Sequence, residues 1–456
     1  MKIIIVGAGR TGRALIKALS EKNYDITVVE KQKSILDAVT DKYNVNGVVG
    51  SGASKETLHK AGADTADILI ALTPVDEVNL LSCMQAKSVG TIKTVARVFQ
   101  PDFAEDRESL ETEQNIDYIY NPKFDVAEEA ANSIGLPGVV KPEGIFADQM
   151  QMVSVTVTAG SPIEGKSLLE IKQGMKFPIL ICTVLREGKL IIPDGSFTVR
   201  KSDIIGLAAS RENIIEVLKN FGIAKTGAKR IMIVGGSVTT EYLTEILLKE
   251  KKEITIIEHD IEKCRRLMEK YPSVNVSYGN GEMADILEAE NIGGMDAIVS
   301  LTDSDEKNMV TSMYAWSRNV PSILTGVNAP EHLKLLHRVN LDITLSASEI
   351  SVNKLIRFIM NCEVGAEQNE IEKYSTVADN KAEVLQFSAC GNFRKLNVKF
   401  KEPEFRLKKN TIIVSIVRNG NLIIPDGNSS IEAGDRVILV AESKHKIVRL
   451  NDILSD

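Results

Sequence analysis

The sequence predicts an α/β protein made of two tandem modules, each a doubly wound parallel-sheet domain followed by a small α+β domain. Three observations support this fold class. The chain repeats itself at long range, and the first half of each repeat alternates apolar strands with helical stretches, the pattern of a parallel sheet covered by helices. The second half of each repeat consists of short β-like runs separated by tight-turn residues.

The repeat is visible in two pairs of matching segments. "IIIVGAGRTG" at 3–12 aligns with "IMIVGGSVTT" at 231–240, an offset of 228 residues. "REGKLIIPDG" at 186–195 aligns with "RNGNLIIPDG" at 418–427, an offset of 232 residues. This small drift is what a tandem duplication with loop insertions produces, and the long unit favours a duplicated two-domain module over a solenoid.

The elements of the first parallel-sheet domain can be placed from its apolar runs. Strands are predicted at 2–6, 26–30, 46–49, 67–72, 93–98 and 116–119. A helical stretch follows and ends at the Gly-Leu-Pro-Gly sequence of residues 135–138, and its partner in the second copy is 346–361. Later in each copy, Pro-Asp-Gly supplies the fixed φ and the positive φ of a tight turn.

These patterns divide the chain into six consecutive segments. The predicted segments are a Rossmann-like domain at 1–121, a linker helix at 122–140, a small α+β domain at 141–225, a second Rossmann-like domain at 228–345, a second linker helix at 346–370 and a second small domain at 371–456.

The composition fits a soluble, cytoplasmic protein of several domains. The chain has 456 residues, of which 26% are charged and 43% apolar. A net charge of −7 gives no broad basic field, which argues against a nucleic-acid partner. No apolar run approaches the ~20 residues that cross a bilayer, and the first residues lack a signal-peptide pattern. Five scattered cysteines without a CxxC pair argue for a reducing compartment and against a cysteine metal site.

A nucleotide-binding loop is predicted directly after the first strand. Gly7, Gly9 and Gly12 form Gly-x-Gly-x-x-Gly, which allows a tight turn, a close approach of the backbone to a pyrophosphate, and close packing of the helix on the sheet. Free N–H groups and the positive end of the following helix favour phosphates. Glu30, 18 residues after Gly12, is placed to accept from ribose hydroxyls and to repel a 2′-phosphate. NAD(H) or an adenine nucleotide is therefore preferred over NADP(H).

Further candidate contacts flank this loop or follow later strands. Arg10 and Thr11 are placed to contact phosphate, and Arg97 could reach one from the other side. For Thr73, Asn79 and Arg97, capping or a surface salt bridge explains each residue about as well. The predicted contacts in the first domain are Gly7, Ala8, Gly9, Arg10, Thr11, Gly12, Glu30, Lys31, Gly50, Ser51, Thr73, Pro74 and Arg97.

The corresponding loop of the second copy has changed. Gly235 and Gly236 remain, but Ser237 and Thr240 stand where the first copy has its second and third glycines. Thr240 adds a branched side chain where helix and strand should be closest, so a weaker or different ligand is expected. The acid is kept as Glu258, whereas Arg97 has no basic counterpart. The predicted contacts in this copy are Gly235, Gly236, Ser237, Val238, Thr239 and Glu258.

No catalytic residue and no metal site are predicted. The five histidines form no metal-binding or acid–base pattern, and no Gly-x-Ser-x-Gly, His-Glu-x-x-His or Walker A motif is present. A dehydrogenase needs a general acid or base beside its cofactor. A nucleotide pocket without such residues is typical of a sensor rather than an enzyme.

The sequence resembles the TrkA family, the cytoplasmic nucleotide-binding subunits of Trk-type potassium uptake systems, which are built from tandem RCK modules (regulators of potassium conductance). The resemblance covers essentially the whole chain. It rests on "IIIVGAGRTG", "VVEK", "VVGSGASKETLHKAGADTADILIALTPVDEVN", "RVF" and the doubled "IIPDG". It implies that each module pairs a Rossmann-like RCK N-subdomain with a small RCK C-subdomain.

The resemblance also implies a regulatory function at the membrane. Four chains are expected to form a homotetrameric gating ring of eight modules beneath a dimeric potassium-channel subunit, on the inner face of the cell membrane. NAD(H), ATP or ADP are the expected regulatory ligands, and their binding is expected to alter potassium flux. The helical stretches at 124–134 and 349–360 resemble the crossover helices by which paired modules dimerise. The family's ligand contacts correspond to Gly7, Gly9, Arg10, Thr11, Gly12, Glu30, Thr73 and Arg97, while Ser51 stands where the family often has an acid.

Two other functions remain open at this point. A nicotinamide-dependent oxidoreductase would turn over NADH with a substrate and would need an acid or base facing the nicotinamide, for which the sequence offers no candidate. A regulator of another membrane transporter, sensing a nucleotide or a cyclic dinucleotide, would be recognised by the membrane gene beside its own.

Overall fold

A computed structural model describes most of the chain. The described residues are 1–22, 24–101, 103, 107–134, 140–146, 149–223, 228–339, 341, 343–364, 371–378, 381–445 and 447–455. They form two compact units, one of Met1–Glu128 with Ser346–Ile359, the other of Glu129–Leu345 with Met360–Asp456. The predicted break at 135–138 lies outside the described residues.

The helices alternate with strands in the two Rossmann-like domains. The helices are α1 (Arg10–Ser20), α2 (Lys33–Thr40), α3 (Lys55–Lys60), α4 (Asp76–Val89), α5 (Arg107–Glu113), α6 (Pro122–Ser133), α7 (Leu168–Gln173), α8 (Ile214–Asn220), α9 (Val238–Lys249), α10 (Ile261–Lys270), α11 (Ala284–Ala289), α12 (Asp305–Ser317), α13 (Pro330–Arg338) and α14 (Ala347–Val364). Within the described part of the chain, none of these helices has the length and apolarity needed to cross a membrane.

The strands build four sheets. The strands are β1 (Lys2–Val6), β2 (Asp25–Glu30), β3 (Asn46–Val49), β4 (Ile68–Ala71), β5 (Lys93–Arg97), β6 (Tyr118–Tyr120), β7 (Val140–Phe146), β8 (Met150–Thr156), β9 (Ile179–Arg186), β10 (Lys189–Ile191), β11 (Ile204–Ser210), β12 (Arg230–Val234), β13 (Glu253–Glu258), β14 (Asn275–Tyr278), β15 (Ala297–Ser300), β16 (Ser322–Gly326), β17 (Thr344–Leu345), β18 (Ile371–Val377), β19 (Ala382–Ser388), β20 (Thr411–Arg418), β21 (Asn421–Ile423) and β22 (Arg436–Glu442).

Two of the sheets are parallel and have the same topology. Their strand orders are β3-β2-β1-β4-β5-β6 and β14-β13-β12-β15-β16-β17. The central strands β1 and β12 are buried because their runs "IIIV" and "IMIV" have no polar face to present to water. All six strands predicted for the first sheet are present, and their ends differ from the prediction by at most two residues. The predicted Rossmann-like fold is confirmed for both copies.

The helix that follows the second parallel sheet belongs to the first unit. Residues 346–359 of α14 cluster with the first Rossmann-like domain. The ring of Phe358 stacks on that of Tyr118 at 5.4 Å with an interplanar angle of 13°. The ammonium of Lys354 pairs with the carboxylate of Asp125, which is buried at 5% exposure. A helix that follows the second parallel sheet in the chain therefore packs on the parallel-sheet domain of the first copy.

The other two sheets are antiparallel and lie in the second unit. Their orders are β10-β9-β11-β8-β7 and β18-β19-β22-β20-β21. They share one apolar core, in which Phe146, Met150 and Met152 of the first sheet pack with Val384 and Val440 of the second. The two small α+β domains are therefore stabilised by each other, because each buries an apolar sheet face against its copy.

A buried ion pair is repeated in these two domains. The guanidinium of Arg186 donates two hydrogen bonds to Asp203, Nε to Oδ1 at 2.8 Å and Nη2 to Oδ2 at 2.7 Å. Arg418 makes the same bidentate contact with Asp435 at 2.9 and 2.8 Å. Each aspartate is 1% exposed, so its carboxylate has little contact with water and is paired instead with its arginine.

Candidate functional site

The first glycine loop forms a tight turn at the carboxyl end of β1. Gly7 has φ +98°, a conformation that glycine adopts without strain, and its N–H donates to the carbonyl of Val29 at 2.8 Å. A Cβ placed on Gly12 would lie 2.1 Å from the carbonyl oxygen of Gly7. The loop therefore needs glycine at both positions, the first for its φ and the second for the approach of α1 to the strand.

The start of α1 is open to a ligand. Gly9 is the N-cap residue, and no side chain caps the helix. Gly9 has φ −68°, and among the described residues no atom lies within 4 Å of a Cβ built there. Arg10 is exposed beside it, while Thr11 is 9% exposed. Uncapped N–H groups at the positive end of a helix form a binding site for phosphate or another anion.

Glu30 stands at the end of β2, beside the loop. Its Oε2 accepts from the N–H of Ala8 at 2.8 Å, and its Oε1 accepts from the N–H of Gln32 at 3.1 Å. A carboxylate has about four acceptor positions, so this half-buried group keeps capacity for ribose hydroxyls. Lys31, the next residue, is exposed.

The loop after β4 is fixed by Asn79. The Oδ1 of Asn79 accepts from the N–H and the Oγ1 of Thr73, at 2.8 and 2.7 Å. Its Nδ2 donates to the carbonyls of Thr73 and Arg97, at 2.8 and 2.9 Å. We call these four contacts the Thr–Asn clasp. The side chain of Thr73 is thus committed to its own loop, while Pro74 beside it is exposed.

The loop after β3 approaches the same edge of the sheet. The N–H of Gly50 donates to the carbonyl of Glu30 at 2.9 Å, and Ser51 Oγ accepts from the N–H of Ala53 at 3.4 Å. These bonds place both residues at the carboxyl edge of the sheet, near Glu30.

Arg97 lies below the loops rather than in the open cleft. It is 8% exposed, and its Nη2 donates to the carbonyls of Leu72 and Thr73 at 2.5 and 3.0 Å. Its Nη1 lies 3.5 Å from Thr11 Oγ1. Burial lowers the pKa of the guanidinium, and its Nε has no partner among the described residues. The sequence suggested a phosphate contact, but the structure directs this side chain at backbone carbonyls.

The second copy repeats the framework of the first. Asn308 makes the Thr–Asn clasp with Thr302, at 2.8 and 2.7 Å to its Oδ1, and its Nδ2 donates to the carbonyl of Gly326 at 2.9 Å. Gly235 has φ +106°, and its N–H donates to the carbonyl of Ile257 at 2.9 Å. The two clefts can therefore be compared residue by residue.

The glycine loop of the second copy differs where the first is open. Ser237 is the N-cap of α9, and its side chain accepts from the N–H of Thr240. Thr240 Oγ1 donates to the carbonyl of Gly235 at 2.5 Å, so the threonine side chain is accommodated by a hydrogen bond to the turn. Val238 and Thr239 are half-buried. One helix N–H that is uncapped in the first copy is occupied by protein here.

The buried side chain of Glu258 stabilises the second glycine loop by hydrogen bonds. It is 3% exposed; its Oε2 accepts from the N–H of Gly236 at 2.5 Å, and its Oε1 accepts from the N–H of Asp260 at 2.8 Å. His259 Nδ1 lies 2.7 Å from the same Oε1, with its ring 73% exposed. This acid is less accessible than its half-buried counterpart Glu30.

A cavity of about 260 Å³ lies in the second copy, at the carboxyl ends of β12 to β15. Its charged and polar lining includes His259, Asn280, Glu282, Asp303, Lys307 and Thr311. Sequence reasoning missed these six residues. The available signal was the alignment of "GSGA" at 50–53 with "GNGE" at 279–282, where an alanine is replaced by an acid.

The histidines and cysteines bring no metal site together in the described part of the chain, where no group of three or more His, Cys, Asp or Glu side chains could hold an ion. His332 is half-buried, and its Nδ1 lies 3.3 Å from Asp305 Oδ2. The cysteines at 83, 182 and 264 are buried and form no disulfide.

Comparison with known protein families gives two matching domain models. A model described as the TrkA-N domain matches residues 3–122 and 231–347, and one described as the TrkA-C domain matches residues 152–222 and 396–449. Each model therefore matches twice, once in each copy of the repeat.

Relatives and solved structures similar to this chain cover nearly all of it. A protein named Trk system potassium uptake protein TrkA homolog 1, from Methanosarcina mazei, is 28% identical over 447 residues, covering 96% of this chain and 97% of that protein. The Trk system potassium uptake protein TrkA of Haemophilus influenzae is 26% identical over 458 residues, with 99% and 98% covered. The structure titled GsuK channel bound to NAD is 18% identical with a TM-score of 0.59, covering 97% of this chain and 77% of that chain, which shows a shared fold.

Proposed function

We propose that this chain, which belongs to the TrkA family of tandem TrkA-N and TrkA-C domain proteins, is a nucleotide-sensing regulatory subunit that gates a Trk-type membrane potassium transporter. The observation that carries the proposal is the first glycine loop. Its turn is closed by Gly7 and Gly12, yet the start of α1 has no side-chain cap. A sensor needs such a preformed anion site, and relatives over the full length are named as Trk potassium uptake proteins.

The first cleft is proposed to bind NAD(H), ATP or ADP as a regulatory ligand rather than a redox cofactor. The diphosphate would lie on the N–H groups at the start of α1, with Arg10 beside it. Glu30 would accept from the ribose hydroxyls, because its two oxygens keep unused acceptor positions. The proposed contacts are the loop residues from Gly7 to Gly12, then Glu30, Lys31, Gly50, Ser51, Thr73 and Pro74.

Arg97 is proposed to stabilise the bound phosphates electrostatically from its position below the glycine loop. Its Nη1 is 3.5 Å from Thr11 Oγ1 and its Nη2 holds the carbonyl of Thr73. A buried cation whose Nε has no partner among the described residues adds positive potential below the phosphate position without a solvent-exposed charge. In the second copy, the residues from Gly235 to Thr239 and Glu258 are proposed to frame a second cleft.

A ring of four chains is the proposed assembly. Equivalent helices of both copies expose apolar side chains, Leu81 and Met84 on α4, and Val310, Met313 and Trp316 on α12, the last 60% exposed. Adjacent exposed apolar side chains on one helix mark a surface that another protein covers. Repeated surfaces at two places on one chain allow chains to join head to tail into a closed ring beneath the transporter.

Potassium flux is the direct test of the gating function. A Trk-type membrane subunit from the same organism would be reconstituted in liposomes with the purified chain, and potassium uptake measured with NAD⁺, NADH, ATP or ADP added in turn. At least one nucleotide is expected to change the flux in the presence of this chain and not in its absence. A flux that no nucleotide changes, with the ring assembled, would refute the gating proposal.

Two other functions are separated by simple controls. Consumption of NADH without added transporter, in the presence of a metabolite, would indicate an oxidoreductase instead. A gene neighbour that encodes an antiporter, with nucleotide-dependent control of that protein, would move the regulatory function to another transporter. The molar mass of the ring would be measured by light scattering. The double variant Met313→Glu with Trp316→Glu is expected to give smaller assemblies than wild type.

A further inference from the structure

The second cleft differs from the first in whether a phosphate can reach the N–H groups at the start of the helix. In the first copy the N-cap Gly9 leaves the helix start uncapped. In the second copy Ser237 caps α9, and Thr240 fills the space against Gly235 with a hydrogen bond of 2.5 Å. A phosphate arriving at the second loop would have to displace a protein side chain from a helix N–H, whereas at the first loop it would not.

The charges around the two clefts are opposite. With the Thr–Asn clasp as reference, positions 31, 53, 74 and 78 of the first copy correspond to 259, 282, 303 and 307 of the second. The first set is Lys31, Ala53, Pro74 and Val78, and carries one positive charge. The second set is His259, Glu282, Asp303 and Lys307, and carries one net negative charge with the histidine neutral. Acidic groups at a cleft repel a polyphosphate.

The cations that would meet a diphosphate in the first copy are absent from the second. Arg10 corresponds to Val238, and Arg97 corresponds to Gly326. Lys307 is the cation lining the cavity, and its Nζ is already 2.8 Å from Glu282 Oε1. Among the described residues that line the cavity, no lysine or arginine other than Lys307 is present to offset the negative charge of a diphosphate.

The size and lining of the cavity fit a nucleoside. Its volume of about 260 Å³ is just below the ~300–1,000 Å³ typical of pockets for drug-sized ligands. The side chains of Val234 and Ile257 supply an apolar floor for a base, and Asn280 and Asp303 supply acceptors for ribose hydroxyls.

We propose that the second cleft binds an uncharged nucleoside, such as adenosine, and excludes the diphosphates of ADP and NAD. The inference rests on the proposed function of the first cleft, because it assigns the two copies to two classes of ligand. One ring would then respond to two different metabolites, one at each copy of the fold, instead of binding the same metabolite at both copies.

Calorimetry on full-length variants tests this directly. Gly9→Ala is expected to weaken phosphate binding at the first cleft. Lys307→Trp is expected to fill the second cleft, because the side chain at 307 lines it and reaches Glu282. Lys249→Trp, at an exposed position of α9, is the matched control. Adenosine is expected to bind Gly9→Ala at one per chain with wild-type affinity, and to bind Lys307→Trp at least ~10-fold more weakly. ADP is expected to bind wild type at one per chain and to lose most of its affinity in Gly9→Ala.

Each result supports or overturns the inference. Adenosine that fails to bind Gly9→Ala, or that binds Lys307→Trp as tightly as Lys249→Trp, overturns it. ADP binding to Gly9→Ala at one per chain, lost on adding Lys307→Trp, also overturns it, since the second cleft would then accept a diphosphate. If ADP does not bind wild type at all while adenosine behaves as expected, the function proposed for the first cleft fails and the assignment of the two copies to two classes of ligand fails with it, whereas the nucleoside site of the second cleft stands.

Discussion

Replacing Gly9 by alanine separates ligand binding from folding at the first cleft. Gly9 has φ −68° and ψ −166°, which alanine adopts without strain, and a Cβ there has no described atom within 4 Å. In such a position alanine stabilises the folded state by about 0.4–1 kcal/mol, because it restricts the unfolded chain. Gly9 is also the N-cap of α1, where alanine is less favourable than glycine by a similar amount, so the apo protein is expected to be about as stable as wild type.

The same methyl group lies where the ligand must approach the backbone. A phosphate held off the N–H groups at the start of α1 loses charge-assisted hydrogen bonds of about 1.5–3 kcal/mol each. One lost bond corresponds to a Kd raised about 10- to 150-fold. Titration calorimetry with NADH and ADP measures this change, and thermal unfolding of the apo protein measures the stability.

Two further variants make the result interpretable. Gly391→Ala adds a Cβ that also has no described atom within 4 Å, so its nucleotide affinity should equal that of wild type. Gly12→Ala puts a Cβ 2.1 Å from the carbonyl of Gly7, so it should lose both stability and affinity. Wild-type nucleotide affinity in Gly9→Ala would refute the placement of the phosphates on this loop.

Three further predictions concern stability and packing. Arg186→Ala leaves the buried carboxylate of Asp203 without its cation and should lower the free energy of unfolding, measured in urea, by about 3–5 kcal/mol. Lys219→Ala breaks an exposed ion pair and should lower it by under about 1 kcal/mol. Burial opposes the ionisation of Asp203, but hydrogen bonds from Arg186 and the Arg200 N–H outweigh it and lower the pKa. Its stabilisation is therefore complete above the unfolded pKa and lost as the pH falls below about 4, and Asp203→Asn should flatten the acid limb of the unfolding curve. Lys354→Ala leaves Asp125 buried without its cation, so hydrogen exchange at 346–359 should quicken, and an unchanged exchange rate would contradict the docking of this helix.

The sequence was sufficient for features with a local cause. The strands of the first sheet follow from apolar runs between turn residues, and their ends were placed to within two residues. The roles of Gly7 and Gly12 follow from spacing alone, since a positive φ and a 2.1 Å approach each require glycine. Such constraints act within a few residues along the chain, so one sequence contains them.

Features that depend on side-chain direction were not predictable. Arg97 ends a strand at the carboxyl edge of the sheet, but its guanidinium lies beneath the loop, where it donates to the carbonyls of Leu72 and Thr73. Likewise the contact of Arg186 with Asp203 joins two residues 17 apart for which the sequence predicted no contact. Both contacts depend on which groups the folded loops bring within reach of a guanidinium, and spacing along the chain does not contain that information.

The two clefts explain why a duplicated module need not be redundant. A ligand shifts an equilibrium between two ring shapes only by its difference in affinity for them, so identical clefts would respond to a single concentration. Clefts of opposite charge respond to separate concentrations. Coupling between two binding sites is reciprocal. If a nucleoside bound at the second cleft changes the affinity of the first cleft for nucleotide by some factor, then bound nucleotide changes the affinity of the second cleft for the nucleoside by the same factor. The loss of glycine at 240 then has a physical interpretation: Thr240 and Ser237 close one loop to phosphate while the clasp of Thr302 and Asn308 keeps the cleft intact.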